Sequence, residues 1–219
     1  MKTSPSSRPT KAPQARPRHA HSGEIRIIGG LWKRSKLAVP DLPGLRPTPD
    51  RVRETVFNWL GQTLSGRRVL DLYAGSGALG LEAASRGAAS VLLVEQNPRC
   101  VAGIAAAAQR LKAEQVQVRA ADALAAAHAL ARLGERFDIV FIDPPYSSAQ
   151  QLLALQAVHP LLTAEGLAYV ETDDPALFDL LDPDTWAVWR RGRAGQVHFA
   201  LLRRNNTAAP TTGSGAQNP

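Results

Sequence analysis

The sequence predicts an α/β protein organised around a mostly parallel β-sheet that is covered by helices. Residues 137–142, FDIVFI, are apolar on both faces of a strand, which is typical of a central strand in such a sheet. From Gly66 onward, strand-like and helix-like patterns alternate along the chain. A turn that contains Gly75, Gly77 and Gly80 follows one strand and opens a helix. The chain has 219 residues, 44% of them hydrophobic, so we expect one globular domain with a small appendage.

Cysteine, histidine and hydropathy patterns exclude several classes of protein. Cys100 is the one cysteine, so the chain can form no internal disulfide and no cysteine-based zinc site. The five histidines share no ligand spacing, and we expect no metal. The sequence contains no run of 18 apolar residues and no signal-peptide apolar core. We therefore expect a cytoplasmic protein that does not bind membranes.

Positive charge is concentrated at the two ends of the chain. Residues 1–53 carry twelve Lys and Arg against three acidic residues, a net charge of +9, whereas the remaining 166 residues carry 14 basic and 16 acidic residues, a net charge of −2. A second basic cluster follows Asp184 and comprises Arg190, Arg191, Arg193, Arg203 and Arg204. With a pI near 10.2, this distribution predicts a polyanionic partner, most simply a nucleic acid.

The N-terminal region divides into a tail and a hairpin. Residues 1–22 are rich in proline and basic residues and poor in large apolar ones, so we expect a disordered basic arm, and residues 205–219 predict a second disordered tail. Residues 24–40 contain two β-prone runs on either side of a Gly-Gly pair, which predicts a hairpin. Its basic side chains are Lys33, Arg34 and Lys36; the alternative is an ordinary edge hairpin whose lysines discourage pairing with further strands.

An amphipathic helix is predicted before the alternating region begins. Thr48 is placed as its N-cap with Pro49 at the first helical position, and apolar residues recur at Val52, Val56, Trp59 and Leu60. Arg51 and Arg53 near its start oppose the helix dipole. We therefore expect an external anion, or an acid such as Glu54, to hold them; a solvated helix face is the alternative.

The remaining elements follow in a regular order. The pattern predicts a strand over 69–73, a helix over Ala78–Ser85, a strand over Ser90–Glu95, a helix from Asn97 to about Lys112, a strand over 116–119 and an alanine-rich helix after Asp122.

A glycine turn of this kind can bind a dinucleotide or S-adenosylmethionine, and three carboxylates lie where the cofactor is expected. Glu95 fits both cofactors, whereas Asp71 and Asp122, with the acceptors at 143–146, separate them. Glu95 follows Gly75 by 20 residues, a spacing that places a carboxylate beside a ribose. Asp71 precedes the glycines, where it can hold an α-amino group but would repel a pyrophosphate. Asp122 follows the third strand and can accept from an adenine amine. These positions favour S-adenosylmethionine over a dinucleotide.

The strand at 137–142 ends in Asp143, Pro144, Pro145 and Tyr146. The prolines have no backbone donor and force an extended conformation, so a carboxylate, donor-free carbonyls and an aromatic ring meet at the strand's carboxyl end. Open α/β sheets bind their ligands at this edge. Acceptors beside a flat ring suit a planar substrate that bears an NH2 group. A proline-terminated strand with a buried tyrosine is the structural alternative.

Six motifs in this order, RIIGG, GLRPT, DRVRETVFNWL, DLYAGSGALGLEA, FIDPPY and AGQV, carry a family resemblance over residues 24–204. They resemble the bacterial small-subunit ribosomal RNA guanine-N2 methyltransferases (RsmD type), within the class I S-adenosylmethionine-dependent methyltransferases. The resemblance implies a Rossmann-like, seven-stranded class I sheet with an antiparallel last strand, and its last three strands at 166–172, 186–192 and 196–203. It implies a methyltransferase domain over 65–204, preceded at 23–64 by a hairpin and helix that bind RNA or close the site.

The same resemblance implies roles for individual residues. The cofactor residues are Asp71, Tyr73, Ala74, Gly75, Ser76, Gly77, Gly80, Glu95, Gln96, Asp122, Ala123 and Asp143. The target base is expected at Asp143, Pro144, Pro145 and Tyr146. Residues that contact RNA or close the site are Lys33, Arg34, Lys36, Arg46, Thr48, Arg51, Arg53 and Glu54. The implied partner is 16S rRNA in the small ribosomal subunit, and the implied state is a monomer.

Several other functions remain open at the level of sequence. A glycine turn also occurs in nicotinamide-dependent oxidoreductases, and a methyltransferase fold can serve as a non-catalytic RNA-binding assembly protein. DNA adenine-N6 and protein glutamine methyltransferases use a similar rim of acceptors. The charge distribution and the resemblance of the N-terminal block favour ribosomal RNA.

Overall fold

The computed structural model describes residues 23–43, 45, 48–144 and 148–205. Within these ranges the strands are β1 (Gly23–Arg26), β2 (Lys36–Val39), β3 (Arg68–Asp71), β4 (Ser90–Glu95), β5 (Val116–Ala120), β6 (Phe137–Ile142), β7 (Leu162–Thr172), β8 (Trp186–Ala194) and β9 (Val197–Arg204). The α-helices are α1 (Asp50–Leu60), α2 (Ala78–Ser85), α3 (Pro98–Leu111), α4 (Ala123–Arg132) and α5 (Ser148–Val158). The predicted terminal tails lie outside the described residues, apart from Asn205.

The main sheet has seven strands in the order β5-β4-β3-β6-β7-β9-β8. The pairs β3–β4, β4–β5, β3–β6 and β6–β7 are parallel. Strand β9 is antiparallel to both of its neighbours, β7 and β8. The predicted α/β fold with an antiparallel last strand is therefore confirmed. No helix in the described part of the chain is long and apolar enough to cross a membrane.

The central strand β6 explains why both faces of the sheet are covered. Its side chains alternate, so that Ile139 and Phe141 enter the core on one face and Val140 and Ile142 enter the core on the other. Helices α1 and α2 cover the first face, and α4 and α5 cover the second. All four side chains are almost fully buried, and each stabilises the fold by about 1.5–3 kcal/mol.

The N-terminal hairpin β1–β2 is docked on helix α2. Glu82 of α2 is fully buried, and its carboxylate accepts hydrogen bonds from the backbone N–H groups of Ile28 (2.7 Å) and Gly29 (2.8 Å). Gly30 has a φ of +76°, and a Cβ at this position would collide with the carbonyl of Ser85. The Gly-Gly pair is therefore required because the hairpin backbone lies directly on the helix.

The prediction that Thr48 is the N-cap of α1 is wrong. The structure places Pro49 at the cap position with an extended backbone (ψ 147°) and without a side-chain capping bond. Thr48 does not cap the helix; its buried hydroxyl lies 3.5 Å from Oδ2 of Asp143. The hydroxyl of Thr48 approaches the carboxylate after strand β6 instead of the backbone of α1. The local sequence around Thr48 does not reveal this distant partner.

Arg53 also differs from the prediction, because its side chain is fully buried and cannot contact RNA. Its guanidinium donates to Asp50 (2.6 Å) and to the backbone carbonyl of Arg26 (2.8 Å), and it lies 3.6 Å from Glu82. Glu82 also pairs with Arg86 at 2.8 Å. Two internal carboxylates, Asp50 of α1 and Glu82 of α2, thus hold Arg53, and the residue joins α1 to the hairpin and the sheet domain.

Candidate active site

Carboxylates meet at the edge of the sheet where the parallel strands end. Asp71 is the last residue of β3, Glu95 is the last residue of β4, and Asp143 directly follows β6. Glu171 is the penultimate residue of β7. Since β3, β4, β6 and β7 are parallel neighbours, all four carboxyl groups lie along one edge, which is where open α/β sheets bind ligands.

The glycine turn follows β3 and leads into α2. Gly75 and Gly77 have φ values of +54° and +78°, a backbone conformation that side chains rarely adopt. A Cβ on Gly77 would lie 3.1 Å from Cγ1 of Ile104, and a Cβ on Gly80 would lie 2.7 Å from Cδ2 of Leu93. The glycines therefore allow a tight turn and let α2 approach the sheet closely, as the sequence pattern predicted.

Asp71 is buried beneath this turn. Its Oδ2 accepts a hydrogen bond from the backbone N–H of Gly80 (2.9 Å). Burial raises the pKa of Asp71 to about 7, with a smaller contribution from the Glu95 carboxylate, while the Gly80 hydrogen bond acts in the opposite direction. A buried carboxylate of this kind favours a cation beside it, because a positive charge compensates for its lost hydration.

Glu95 lies beside the glycine turn, where its spacing predicted it. Its Oε2 accepts from the N–H of Gly75 (2.8 Å) and its Oε1 accepts from the N–H of Asn97 (2.7 Å). These two bonds fix the orientation of the carboxylate. Each oxygen has a further lone pair, so Glu95 can still accept from the hydroxyl groups of a ribose.

Asp122 lies just after β5, the strand next to β4, and has a second role that the sequence did not indicate. Its Oδ1 accepts from the N–H of Ala125 (2.9 Å), so it is the N-cap of α4. Its side chain is exposed, and its charge acts on Tyr73: burial and then the Asp122 carboxylate raise the pKa of Tyr73 to about 12. Asp122 therefore both begins α4 and presents a carboxylate at the site edge.

The motif at the end of β6 is described in part. Asp143 is half-buried and Pro144 is buried, whereas Pro145 and Tyr146 lie outside the described residues. Burial, followed by repulsion from Glu171 and Asp71, raises the pKa of Asp143 well above its usual range, against the hydrogen bond from Thr48. Asp143 is thus a carboxylate that readily accepts a hydrogen bond or a proton.

Glu171 is a site residue that the sequence analysis missed. The pairing of Ile142 with Val170 places the next residues, Asp143 and Glu171, side by side. The hydroxyl of the buried Tyr169 donates to Oε2 of Glu171 at 2.8 Å. Burial raises the pKa of Glu171, and hydrogen bonds from Tyr169 and Thr48 oppose the shift. The sequence signal that could have identified Glu171 is its position at the end of an apolar, strand-like run, LAYVE.

The predicted RNA-contacting residues fall in different places. Lys33, Arg34, Arg51 and Glu54 are exposed, and Lys36 is exposed and pairs with Glu24 at 3.0 Å across the hairpin. Arg46 lies outside the described residues. Leu45 and Thr48 reach the site itself, since Cδ1 of Leu45 would lie 3.1 Å from a Cβ on Gly75 and Thr48 contacts Asp143.

Comparison with known proteins agrees with this geometry. The family model described as "Conserved hypothetical protein 95" matches residues 25–203. Ribosomal RNA small subunit methyltransferase D from Escherichia coli (strain K12) is 42% identical over 191 residues, which cover 86% of this chain and 94% of that protein. The protein of the same name from Haemophilus influenzae is 36% identical over 83% of this chain and 94% of its own length.

Solved structures of similar proteins share the whole fold. A putative methyltransferase from Escherichia coli superposes with a TM-score of 0.72 at 39% sequence identity, and the match covers 83% of this chain and 98% of that one. The seven-stranded sheet and its antiparallel last strand are thus those of a methyltransferase. The chain belongs to the Conserved hypothetical protein 95 family, which is the family of the ribosomal RNA small subunit methyltransferase D proteins.

Proposed function

We propose that the protein transfers a methyl group from S-adenosylmethionine to the exocyclic N2 of one guanine in 16S rRNA, within an assembled or partly assembled small subunit. The names of its relatives support the class of substrate. The observation that carries the choice of guanine is the pair of neighbouring carboxylates, Asp143 and Glu171, at the ends of β6 and β7.

The residues around the glycine turn fit S-adenosylmethionine. We assign Asp71 to the α-ammonium group, Glu95 to the ribose hydroxyls and Asp122 to the adenine amine, because all three carboxylates border the glycine turn or the adjacent strand end. The cluster offers acceptors and negative charge, which suit a cationic ligand and oppose a pyrophosphate. When bound, the cofactor supplies a methyl group that is already activated on a sulfonium.

The acceptors at the end of β6 and β7 match one edge of guanine. Guanine presents an N1–H donor directly beside its N2 amine, whereas the amine of adenine is flanked by a ring-nitrogen acceptor. Asp143 and the carbonyl of Pro144 can accept from the two amine hydrogens, and Glu171 can accept from N1–H. With adenine, the same Glu171 carboxylate would face a lone pair, which is repulsive.

The acceptors also prepare the amine for reaction. The lone pair of the amine is delocalised into the guanine ring, and hydrogen bonds to Asp143 and Pro144 favour a pyramidal nitrogen whose lone pair is available. Thr48 and Tyr169 hold the two carboxylates in place before the base arrives, so this electrostatic arrangement is preorganised. The nitrogen loses one proton as the methyl group is gained, and Asp143 can accept that proton because its pKa is raised.

The remaining parts of the proposal concern the RNA. Tyr146, by its place in the motif, stacks on a base that has left the RNA helix. Lys33 and Arg34 in the hairpin turn, together with Arg51 on α1, are exposed cations that can contact phosphates. Lys36 already forms an ion pair with Glu24, so it contributes less to phosphate binding than the other three cations.

The test is the transfer of labelled methyl from S-adenosylmethionine to three substrates. These are small subunits that lack their native methylation, 16S rRNA transcribed in vitro, and duplex DNA. A single labelled guanine in either RNA sample supports the proposal, and the preferred sample identifies the assembly state of the substrate. Label in DNA, or no transfer to any sample despite cofactor binding, contradicts it.

A further inference from the structure

The outer strand β8 carries exposed arginines with uncompensated charge. Arg190, Arg191 and Arg193 on β8 and Arg203 on β9 are exposed. Among the described residues, none of these four forms an ion pair with a carboxylate. Arg191 and Arg193 donate only to backbone carbonyls, of Pro175 (3.1 Å) and Gly195 (2.8 Å), which leave their positive charge in place. Arg204 differs from the four because its side chain is half-buried.

Aromatic rings hold several of these arginines in place. The guanidinium groups of Arg190 and Arg203 lie 5.1 and 4.2 Å from the ring centre of Trp189. The guanidinium group of Arg191 lies 4.5 Å from the ring centre of Phe178. Cation–π contacts at these distances restrict the side chains without neutralising their charge. The edge is therefore preorganised for an anionic partner.

The topology brings one end of this strand to the active site. Arg193 pairs with His198 of β9, and His198 pairs with Thr172 of β7, which directly follows Glu171. Two strand spacings amount to roughly 10 Å, so the backbone of Arg193 lies about that far from Thr172, the residue after Glu171. Arg191, two residues from Arg193 and on the same face, continues the positive charge away from the site at about 3.3 Å per residue. Arg190 pairs with Leu201, so it flanks the edge strand on the other face of the sheet.

We propose that Arg190, Arg191 and Arg193 form a docking surface for the phosphates of the substrate RNA on the β8 side of the active site. The proposal rests on the function proposed above, since it concerns the same substrate. The hairpin with Lys33 and Arg34 is a separate basic surface, which packs on α2 and α3 with its turn against Ser85 at the C-terminal end of α2.

The chemistry of the surface favours RNA over an acidic protein segment. Guanidinium groups bind phosphate oxygens through two parallel hydrogen bonds, and weak hydration makes arginine effective in nucleic-acid contacts. The surface also ends near Thr172, next to the active-site residue Glu171. A target base that binds there brings the phosphates of its own RNA strand with it. A flexible acidic peptide would explain the charge but not its continuity with the active site.

The experiment compares two triple variants that each remove three positive charges. Arg190→Gln, Arg191→Gln and Arg193→Gln are combined in the test protein. The control combines Lys112→Gln directly after α3, Arg119→Gln on β5 and Arg132→Gln on α4, all near the opposite edge of the sheet. Binding of each protein to 16S rRNA transcribed in vitro is measured between about 50 and 200 mM salt, the range over which phosphate contacts change affinity strongly.

The proposal predicts that only the β8 variant changes its salt dependence. Each lost phosphate contact reduces the slope of log K against log salt by about 0.7–0.9, so the slope falls by about two and affinity at low salt falls at least about tenfold. The KM for RNA rises, while kcat at saturating RNA and the Kd for S-adenosylhomocysteine stay within about twofold of the values for the parent protein. Thermal melting checks that both variants are folded.

Three other outcomes test the docking surface on β8 separately from the proposed methylation of 16S rRNA. Equal slopes for the two triple variants overturn the docking surface, even if the parent protein methylates RNA. Loss of binding to small subunits with unchanged binding to naked RNA also overturns it, and assigns the surface to a protein. A reduced slope in a protein that methylates no RNA supports the surface and contradicts the function.

Discussion

The hydroxyl of Thr48 lies 3.5 Å from Oδ2 of Asp143, although 95 residues separate them in the chain. Thr48 belongs to the segment between the N-terminal hairpin and α1, and Asp143 follows the central strand β6. The same hydroxyl interacts with Glu171. The N-terminal segment therefore helps to form the active site as well as to extend the domain, and it orients the carboxylates that would receive the base.

Replacing Asp143 separates catalysis from cofactor binding. We expect Asp143→Ala to lower kcat by at least about 10²–10³, the usual effect of removing one preorganised polar group from the reacting centre. The Kd for S-adenosylhomocysteine, measured by calorimetry, should change by less than about twofold. A loss of cofactor affinity as large as the loss in rate would show that Asp143 holds the cofactor instead.

Glu171 is expected to distinguish guanine from a base that lacks N1–H. The substrate pair is an RNA with guanine at the target position and the same RNA with 2-aminopurine there, which keeps the amine but has no N1–H. Glu171→Gln should reduce the preference for guanine about 10- to 100-fold, because a hydrogen bond to a charged group contributes about 1.5–3 kcal/mol.

Tyr169→Phe serves as the companion variant, because it removes the hydrogen bond to Glu171 and keeps the carboxylate. It should lower the guanine preference by a smaller factor than Glu171→Gln. The ratio of kcat/KM for the two RNAs is the measurement. An unchanged ratio in Glu171→Gln would remove Glu171 from base recognition.

The pKa of Asp71 predicts how cofactor binding depends on pH. Since burial raises this pKa to about 7, the ligand-free carboxyl group is protonated below pH 7 and must ionise to hold an α-ammonium group. The Kd for S-adenosylhomocysteine should therefore rise as pH falls from 7 to 5, up to about tenfold per unit, and be nearly constant just above 7.

Methylthioadenosine is the matched control ligand, because it lacks the amino-acid portion that Asp71 would hold. Its Kd should vary little over the same range. Isothermal titration in two buffers also measures the proton released when S-adenosylhomocysteine binds near pH 6. Equal pH dependence for the two ligands would place the α-amino group away from Asp71.

Glu82 is predicted to be the residue on which docking of the N-terminal hairpin depends. Glu82→Ala leaves Arg53 and Arg86 without their shared carboxylate and the N–H groups of Ile28 and Gly29 without an acceptor. Breaking a buried pair from one side costs about 3–5 kcal/mol. Urea unfolding should show this loss, whereas Glu54→Ala on the exposed face of α1 should stay within about 0.5 kcal/mol. Similar losses in both variants would contradict the assignment.

The sequence predicted the elements whose signals are local. Helix α2 and strand β4 have the predicted bounds, because a glycine turn, an apolar run and a terminal glutamate lie within a few residues of one another. Asn97 caps α3 as predicted, with its side chain accepting from the N–H of Arg99. These features depend on short-range backbone chemistry alone.

The features that the sequence did not reveal depend on contacts between distant segments. Arg53 is compensated by Asp50 in its own helix and by Glu82 on another helix, and the contact with Glu82 could not be inferred from the dipole of α1. Glu171 becomes a neighbour of Asp143 only through the register of β6 and β7. Thr48 resembled an N-cap because nothing nearby in the sequence indicates the carboxylate that its hydroxyl approaches.

The most direct test of the central claim is the identity of the methylated nucleoside. Small subunits that lack their native methylation are incubated with the protein and labelled S-adenosylmethionine, and the RNA is digested to nucleosides for mass spectrometry. The paired carboxylates Asp143 and Glu171 predict N2-methylguanosine from a single position, and its absence with Asp143→Ala. Label in N6-methyladenosine, or in a protein of the particle, would contradict the assignment of Asp143 and Glu171 to a guanine edge.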